Sequence, residues 1–443
     1  MIQAMSQVEK RNASMFLTVA IIWAAMLMAT PAFAQGTWAT KAPMPTARSA
    51  TGAGVINGKL YVVGGCAASC LPSLATNEVY DSVTDTWATK APMPFARNRL
   101  AAGVVNGILY AVGGCADNAC GSLLNTNQAY NPVTDTWTTK APILTARRDF
   151  SIVVVNGILY AIGGLTGPGS VGIASVEAYD PVTDSWSTKT AMTTARCCAQ
   201  ADTVNGLIYV VGGTFAAGVS ISALEVYNPT TNSWTGKAPM PLPFKASDGA
   251  GAINGLLYVV GGDQTGLSQT TRLYNPATDT WSTDAPMPAF LFGFAFGVIN
   301  CVLHTAGGGD GSGAVFGTTF AFTPSTLCVS IDIKPGSFPN SINLGSNGTV
   351  PVAILSAPAP NFFDATTVDP TTVMLAGASV ALRGKGTPNA SVQDVNGDGL
   401  LDLVVHVSTE ALQLTGTDTQ AILTGQTFSG QQIQGSDTVR IVP

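Results

Sequence analysis

Charge is scarce in this chain. Lys and Arg number 20 and Asp and Glu 26 among 443 residues, and the formal net charge is −6. A nucleic-acid-binding surface needs concentrated basic side chains, so no nucleic-acid partner is expected. Histidine is scarcer still. A centre that needs a histidine pair has only His304 and His406 to draw on. Beyond the N-terminal region no apolar run reaches the length of a transmembrane helix, and no C-terminal anchor is visible. The glycine-rich run 307–313 lacks the Lys-Ser/Thr of a phosphate-binding loop and reads as a surface loop. No catalytic constellation stands out.

What the chain has is repetition. Double glycines fall at Gly64-Gly65, Gly113-Gly114, Gly163-Gly164, Gly212-Gly213, Gly261-Gly262 and Gly307-Gly308, and tryptophans at Trp38, Trp87, Trp137, Trp186, Trp234 and Trp281. Both series step by 46 to 50 residues. Each cassette reads as four short strands, named a to d. Asn57-Gly58 is a two-residue hairpin turn between strands a and b, because type I′ needs positive φ twice. Gly64-Gly65 ends strand b where a side chain would block close backbone approach. Tyr80 ends strand c, 81–85 is a turn rich in Asp, Thr and Ser, and Trp87 starts strand d. The repeated Tyr and Trp are expected to pack between neighbouring units.

This pattern resembles the kelch family, over roughly residues 36–328, with five nearly complete copies. The resemblance implies an all-β fold, a β-propeller of four-stranded blades. The sixth copy departs from the pattern: His304 replaces the first Tyr, Phe322 the second, and Val329 stands where Trp is expected. Trp38 precedes any double glycine, so it reads as a strand d without a blade of its own. The N-terminal strand is therefore expected to complete the sixth blade and close a six-bladed ring, which removes free sheet edges. The family includes a copper-radical oxidase and a sialic acid epimerase. The oxidase needs a histidine pair, tyrosines and a cysteine, so no copper is expected here.

The domain reading is a signal peptide at 1–34, a propeller at 35–328 and a small C-terminal β-sandwich at 329–443. Lys10 and Arg11, the apolar run 15–28 and the Ala32-Phe33-Ala34 site form the signal, with an uncleaved anchor as the alternative. A secreted or cell-envelope location follows, and eight cysteines there permit disulfides. Cys66 and Cys70 share one loop, Cys115 and Cys120 the equivalent loop of the next blade, and Cys301 and Cys328 lie in turns at one end of the sixth. The adjacent Cys197 and Cys198 leave a strained vicinal bridge or free buried thiols open.

Antiparallel order puts the b–c and d–a loops on one face, and the long variable loops are b–c, so that face is the candidate binding face. The d–a loops carry Arg48, Arg97, Arg147 and Arg196, then Lys245 and Leu291, with Arg148 an added charge. Two readings stay open: a ring for an anionic ligand, or repeat-consensus arginines bonding loop carbonyls. Asp149, Asp202, Asp248 and Asp263 are the nearest acids by position.

The tail alternates short apolar runs with Gly, Pro, Asn and Asp. With Ile333-Lys334-Pro335-Gly336-Ser337 near its start and an Asp-Val-Asn-Gly-Asp-Gly loop at 394–399, it resembles an accessory domain of secreted bacterial proteins. Asp394, Asn396, Asp398, Leu400 and Asp402 match a calcium loop, without the Glu of an EF-hand at the position of Val405. A structural calcium ion is expected. The function expected is a non-catalytic binding module for a glycan or a protein. The alternatives are a carbohydrate-active epimerase or mutarotase acting on an acidic sugar, and a cell-envelope scaffold.

Overall fold

The structure is a computed structural model that describes residues 35–443, apart from 118–119, 168, 170, 216–218, 242–248, 263–268, 359–362, 417 and 443. The proposed signal segment, Lys245, Asp248 and Asp263 lie outside the described residues.

Residues 37–323 form six four-stranded antiparallel sheets. In the first, Gly52–Ile56, Lys59–Val63, Asn77–Asp81 and Thr86–Lys90 follow one another in sequence and in space. The next four sheets repeat that order. The sixth takes Ala295–Ile299, Val302–Ala306 and Thr319–Thr323 from one stretch and its outer strand, Thr37–Lys41, from the N-terminal end. Trp38 pairs with Phe322, as Trp87 pairs with Tyr80 in the first sheet. The hairpins turn as type I′ requires, with φ of 48° at Asn57 and 72° at Gly58.

The innermost strands of consecutive sheets pack side by side, and that of the sixth lies against that of the first. Three sets of contacts join neighbouring sheets. Every repeat tryptophan donates its indole N–H to a carbonyl of the adjoining unit: Trp87 to Ala42, Trp137 to Ala91, Trp186 to Ala141, Trp234 to Thr190, Trp281 to Ala238 and Trp38 to Ala285. Strand b tyrosines stack on strand c aromatics of the next sheet, as Tyr61 does on Tyr130 at 5.9 Å, and His304 stacks on Tyr80 of the first sheet at 5.7 Å. Tyr80, Tyr130, Tyr179 and Tyr274 donate hydroxyls to Asp85, Asp135, Asp184 and Asp279, whose carboxylates also accept the backbone N–H of Ala42, Ala91, Ala141 and Ala238. The core is thus a series of clusters between sheets.

Beyond Thr323 the described residues build a two-stranded parallel sheet, Ser341–Asn343 with Arg440–Val442, and two larger sheets. One orders Leu327–Cys328, Gln432–Thr438, Gln420–Thr427, Val368–Leu375 and Ala378–Ser379, and the other Ser330–Ile333, Thr349–Leu355, Asp402–Ser408 and Ala390–Gln393. They share one core that includes Ile333, Val352, Val405, Leu375 and Leu423. This pairing begins at Leu327, two residues before the boundary read from the sequence. The C-terminal unit sits against the a–b turns of the later sheets. Gln434 donates to the Asn254 carbonyl at 2.8 Å, and the Cys301–Cys328 disulfide staples the connection. Cys66–Cys70 and Cys115–Cys120 are also bonded, while Cys197 and Cys198 are free thiols.

Candidate functional site at the central channel

Arg48, Arg97, Arg147 and Arg196 do not face a ligand. All four are fully buried. Arg147 pairs with Glu177 through Nη2, while Nη1 donates to the carbonyls of Gly163 and Ser175 at 3.1 and 3.3 Å. Arg196 does the same with Glu225, Gly212 and Ala223, and Arg48 pairs with Glu78. Arg97 meets the neutral Gln128 at 2.6 Å; burial pushes its pKa down to about 10. Each arginine also anchors the preceding unit, since the backbone N–H groups of Gly65, Gly114, Gly164 and Gly308 donate to the carbonyls of Arg97, Arg147, Arg196 and Arg48. That approach explains the glycine before each of these: a Cβ on Gly64 would lie 2.7 Å from the Arg97 carbonyl oxygen. Of the two readings left open for these arginines, their burial and bonding favour the interior brace. The sequence carried the sign: where Leu291 replaces the arginine, Phe320 replaces the strand c Glu, and both are buried in one cluster.

The open site lies inside these braces. First strands from all six sheets line one cavity of about 370 Å³. At one end, the residue two positions after each brace points inward. These are Ala50, Arg99, Asp149, Cys198 and Gly293 among the described residues, with φ between 53° and 65°. Their backbones form a hydrogen-bonded chain: Ala50 donates to Gly293, Arg99 to Ala50, Asp149 to Arg99 and Cys198 to Asp149, at 2.8 to 3.1 Å. Positive φ at non-glycine residues is costly and concentrates at functional sites.

The side chains on this rim break the repeat symmetry. Arg99 reaches Asp149 at 3.1 Å, and Arg148 contacts the same carboxylate oxygen. Arg148 is thus brought to the site, whereas Arg99 was not singled out from the sequence. Deeper in the channel stand Gln200, Asp202, Phe294 and Phe296. Asp202 accepts the backbone N–H of Thr203 and of Ala252 in the next sheet, both at 2.7 Å. Burial away from bulk water raises its pKa to about 6, against the pull of those two hydrogen bonds.

In the C-terminal unit, Asp394, Asn396 and Asp398 lie on one exposed loop whose backbone N–H groups they cap: Gly397 and Gly399 donate to Asp394, and Leu400 to Asp398. These three oxygens and the Leu400 carbonyl suit a hard cation. Asp402 does not fit as a ligand. It is fully buried, and its two oxygens accept from Ser356 and Val395, pinning the loop to the sheet. Among the described residues no group of three or more His, Cys, Asp or Glu side chains is arranged for a metal.

The family described as Kelch motif matches residues 47–94, 96–143, 146–193, 195–241 and 249–288, more than half of the chain. A repeating β-propeller scaffold defines the class, and the chain belongs to the kelch family. The solved structure titled "Structure of YjhT" is similar at 18% identity with a TM-score of 0.55, covering 62% of this chain and 94% of that one, and bears on the fold alone. No curated protein matches.

Proposed function

We propose that this is an exported six-bladed kelch propeller, closed by its N-terminal strand, that binds the end of a glycan at the mouth of its central channel. The observation that carries the reading is the rim of Arg99, Asp149 and Cys198, polar groups that converge where the scaffold residues around them repeat. A cavity of about 370 Å³ that sets polar groups such as Arg99, Asp149 and Gln200 beside the apolar Phe294 and Phe296 has the size of a small-ligand pocket and the mixed surface a sugar needs. The opposite end supports the choice of face, because the C-terminal unit covers a–b turns there. We read that unit as a β-sandwich braced by calcium at Asp394, Asn396 and Asp398.

A thermal-shift screen of residues 35–443 against neutral and acidic sugars tests the reading, repeated with Arg99→Gln and Asp149→Asn. A stabilising sugar whose effect is lost in both folded variants supports it. No shift with any sugar, together with capture of a protein by the same face, would replace the glycan with a protein ligand.

One observation favours a second reading, an epimerase or mutarotase. Asp202 faces the channel with a pKa near neutrality, as general acid–base catalysis requires. Sugar interconversion followed by NMR, abolished in Asp202→Asn while binding persists, would establish it.

A further inference from the structure

We propose that Cys197 and Cys198 form a redox-active vicinal dithiol that opens onto the channel and exchanges with small-molecule or protein disulfides. Three observations point there. The two Sγ atoms lie 3.1 Å apart and the thiols are in contact. Cys198 is half-buried and lines the cavity, while Cys197 is buried behind it and held by the Thr214 backbone on both sides. Every other cysteine of the chain is in a disulfide, so this pair alone keeps its thiols.

The surroundings favour thiol chemistry. The rim position that is Ala50, Arg99 or Asp149 in other sheets is Cys198 here, and the residue before it is Ser49, Asn98 or Arg148 elsewhere. The pair occurs in one sheet only, so the scaffold does not require it. Hydrogen bonding between the sulfurs lowers the pKa of Cys197, with Arg148 adding to that and Asp149 opposing it. The Cys198 proton is held strongly, because its hydrogen bond to Cys197 and its burial both favour the neutral thiol.

The exchange balances without another reactant. The first thiolate of the pair attacks the oxidant disulfide RSSR, forming a mixed disulfide and releasing RS⁻, which takes up a proton. The second thiol loses its proton and attacks the first sulfur, closing the Cys197–Cys198 bridge and releasing the second RS⁻. Two thiols of the protein are oxidised and one RSSR is reduced to two RSH. Neighbouring Cα atoms are about 3.8 Å apart, closer than the roughly 4.4–6.8 Å spanned by ordinary disulfides. The bridge is therefore strained and easily reduced, so the pair cycles while the other three bridges persist.

The test uses the full exported chain and glutathione as the probe. Protein is incubated with oxidised glutathione, acid-quenched, alkylated in denaturant and analysed by peptide mass. The expected result has the peptide holding Cys197 and Cys198 unalkylated and lighter by two hydrogens, with no glutathione attached. Mild dithiothreitol then restores its two alkylation sites before those of any other cysteine. Cys198→Ser and Cys197→Ser should each trap a glutathione adduct on the remaining sulfur. Two alkylated cysteines after oxidant, or a stable glutathione adduct on the unmodified chain, would overturn the proposal. Either result is read on wild-type protein, so it does not depend on the variants folding.

Discussion

The buried brace makes a quantitative prediction because the chain contains its own apolar counterpart. Arg147 and Glu177 are both buried and paired, and Glu177 also accepts the Leu144 N–H at 2.9 Å. In the sixth sheet Leu291 and Phe320 stand at the same two places. Arg147→Leu alone strands a buried carboxylate, and Glu177→Phe alone strands a buried guanidinium. Breaking a buried pair by removing one partner costs roughly 3–5 kcal/mol. The double variant leaves no stranded charge. It leaves the Thr145, Gly163 and Ser175 carbonyls and the Leu144 N–H short of partners, each worth about 1 kcal/mol. Its expected cost is therefore about 4 kcal/mol, against roughly 6–10 kcal/mol if the single changes simply added. Urea unfolding followed by tryptophan fluorescence, with Trp186 in the same sheet, measures all four corners of the cycle. Two results would sink the argument. One is single variants that lose under about 1 kcal/mol. The other is a double variant as costly as the sum. A folded Arg147→Leu protein of normal stability that had lost sugar binding would return the arginine to the ligand.

Further expectations follow from titration, metal binding and the rim. Burial lowers His304 to about 4, so between there and its ordinary 6.5 the unfolded chain binds more protons and stability falls as pH drops, by up to about 3 kcal/mol. His304→Tyr, which restores the residue of the other sheets, should remove that acid sensitivity in melts between pH 4 and 7. Asp202 acts with the opposite sign. The folded chain keeps its proton up to about 6 and the unfolded chain only to 3.8, so wild type should lose up to about 3 kcal/mol relative to Asp202→Asn as pH rises through that window. A flat difference between the two proteins across it would show that the carboxyl is better solvated than its position implies. Millimolar calcium should raise the melting temperature of the C-terminal unit in calorimetry, and Asp398→Ala should abolish the rise. An unchanged melting point with chelator would leave the loop as a hydrogen-bonded turn.

The scaffold was legible because each requirement is local and recurs. Asn57-Gly58 is needed for its own hairpin, Gly64 for the carbonyl that crosses it, and Trp87 for a carbonyl one unit back. Trp38, lacking a unit of its own, pointed to the pairing of Thr37–Lys41 with Thr319–Thr323. The recurrence of the arginines, in contrast, left their role undecided, since a binding ring and a brace repeat alike. What separated them was a second position some 30 residues on, where Glu78, Glu177 and Glu225 put a carboxylate into a buried strand and Phe320 does so no longer. Asp402 was misread for a related reason: its partner Ser356 is 46 residues away, and only the packed sheet brings the two together. The channel rim was harder still. Arg99 and Asp149 are 50 residues apart and meet only because successive units place the same offset on one axis. That geometry supplies a rule the sequence can be read with. Fix the offset two residues beyond the brace and ask where it departs from a small residue: Ala50 and Gly293 give nothing to bind, while Arg99, Asp149 and Cys198 put a cation, an anion and a thiol around one opening. A scaffold position would have kept one residue type at each turn of the repeat, because each copy meets the same neighbour; a position that faces the axis meets other rim residues, as Arg99 meets Asp149, and is free to differ.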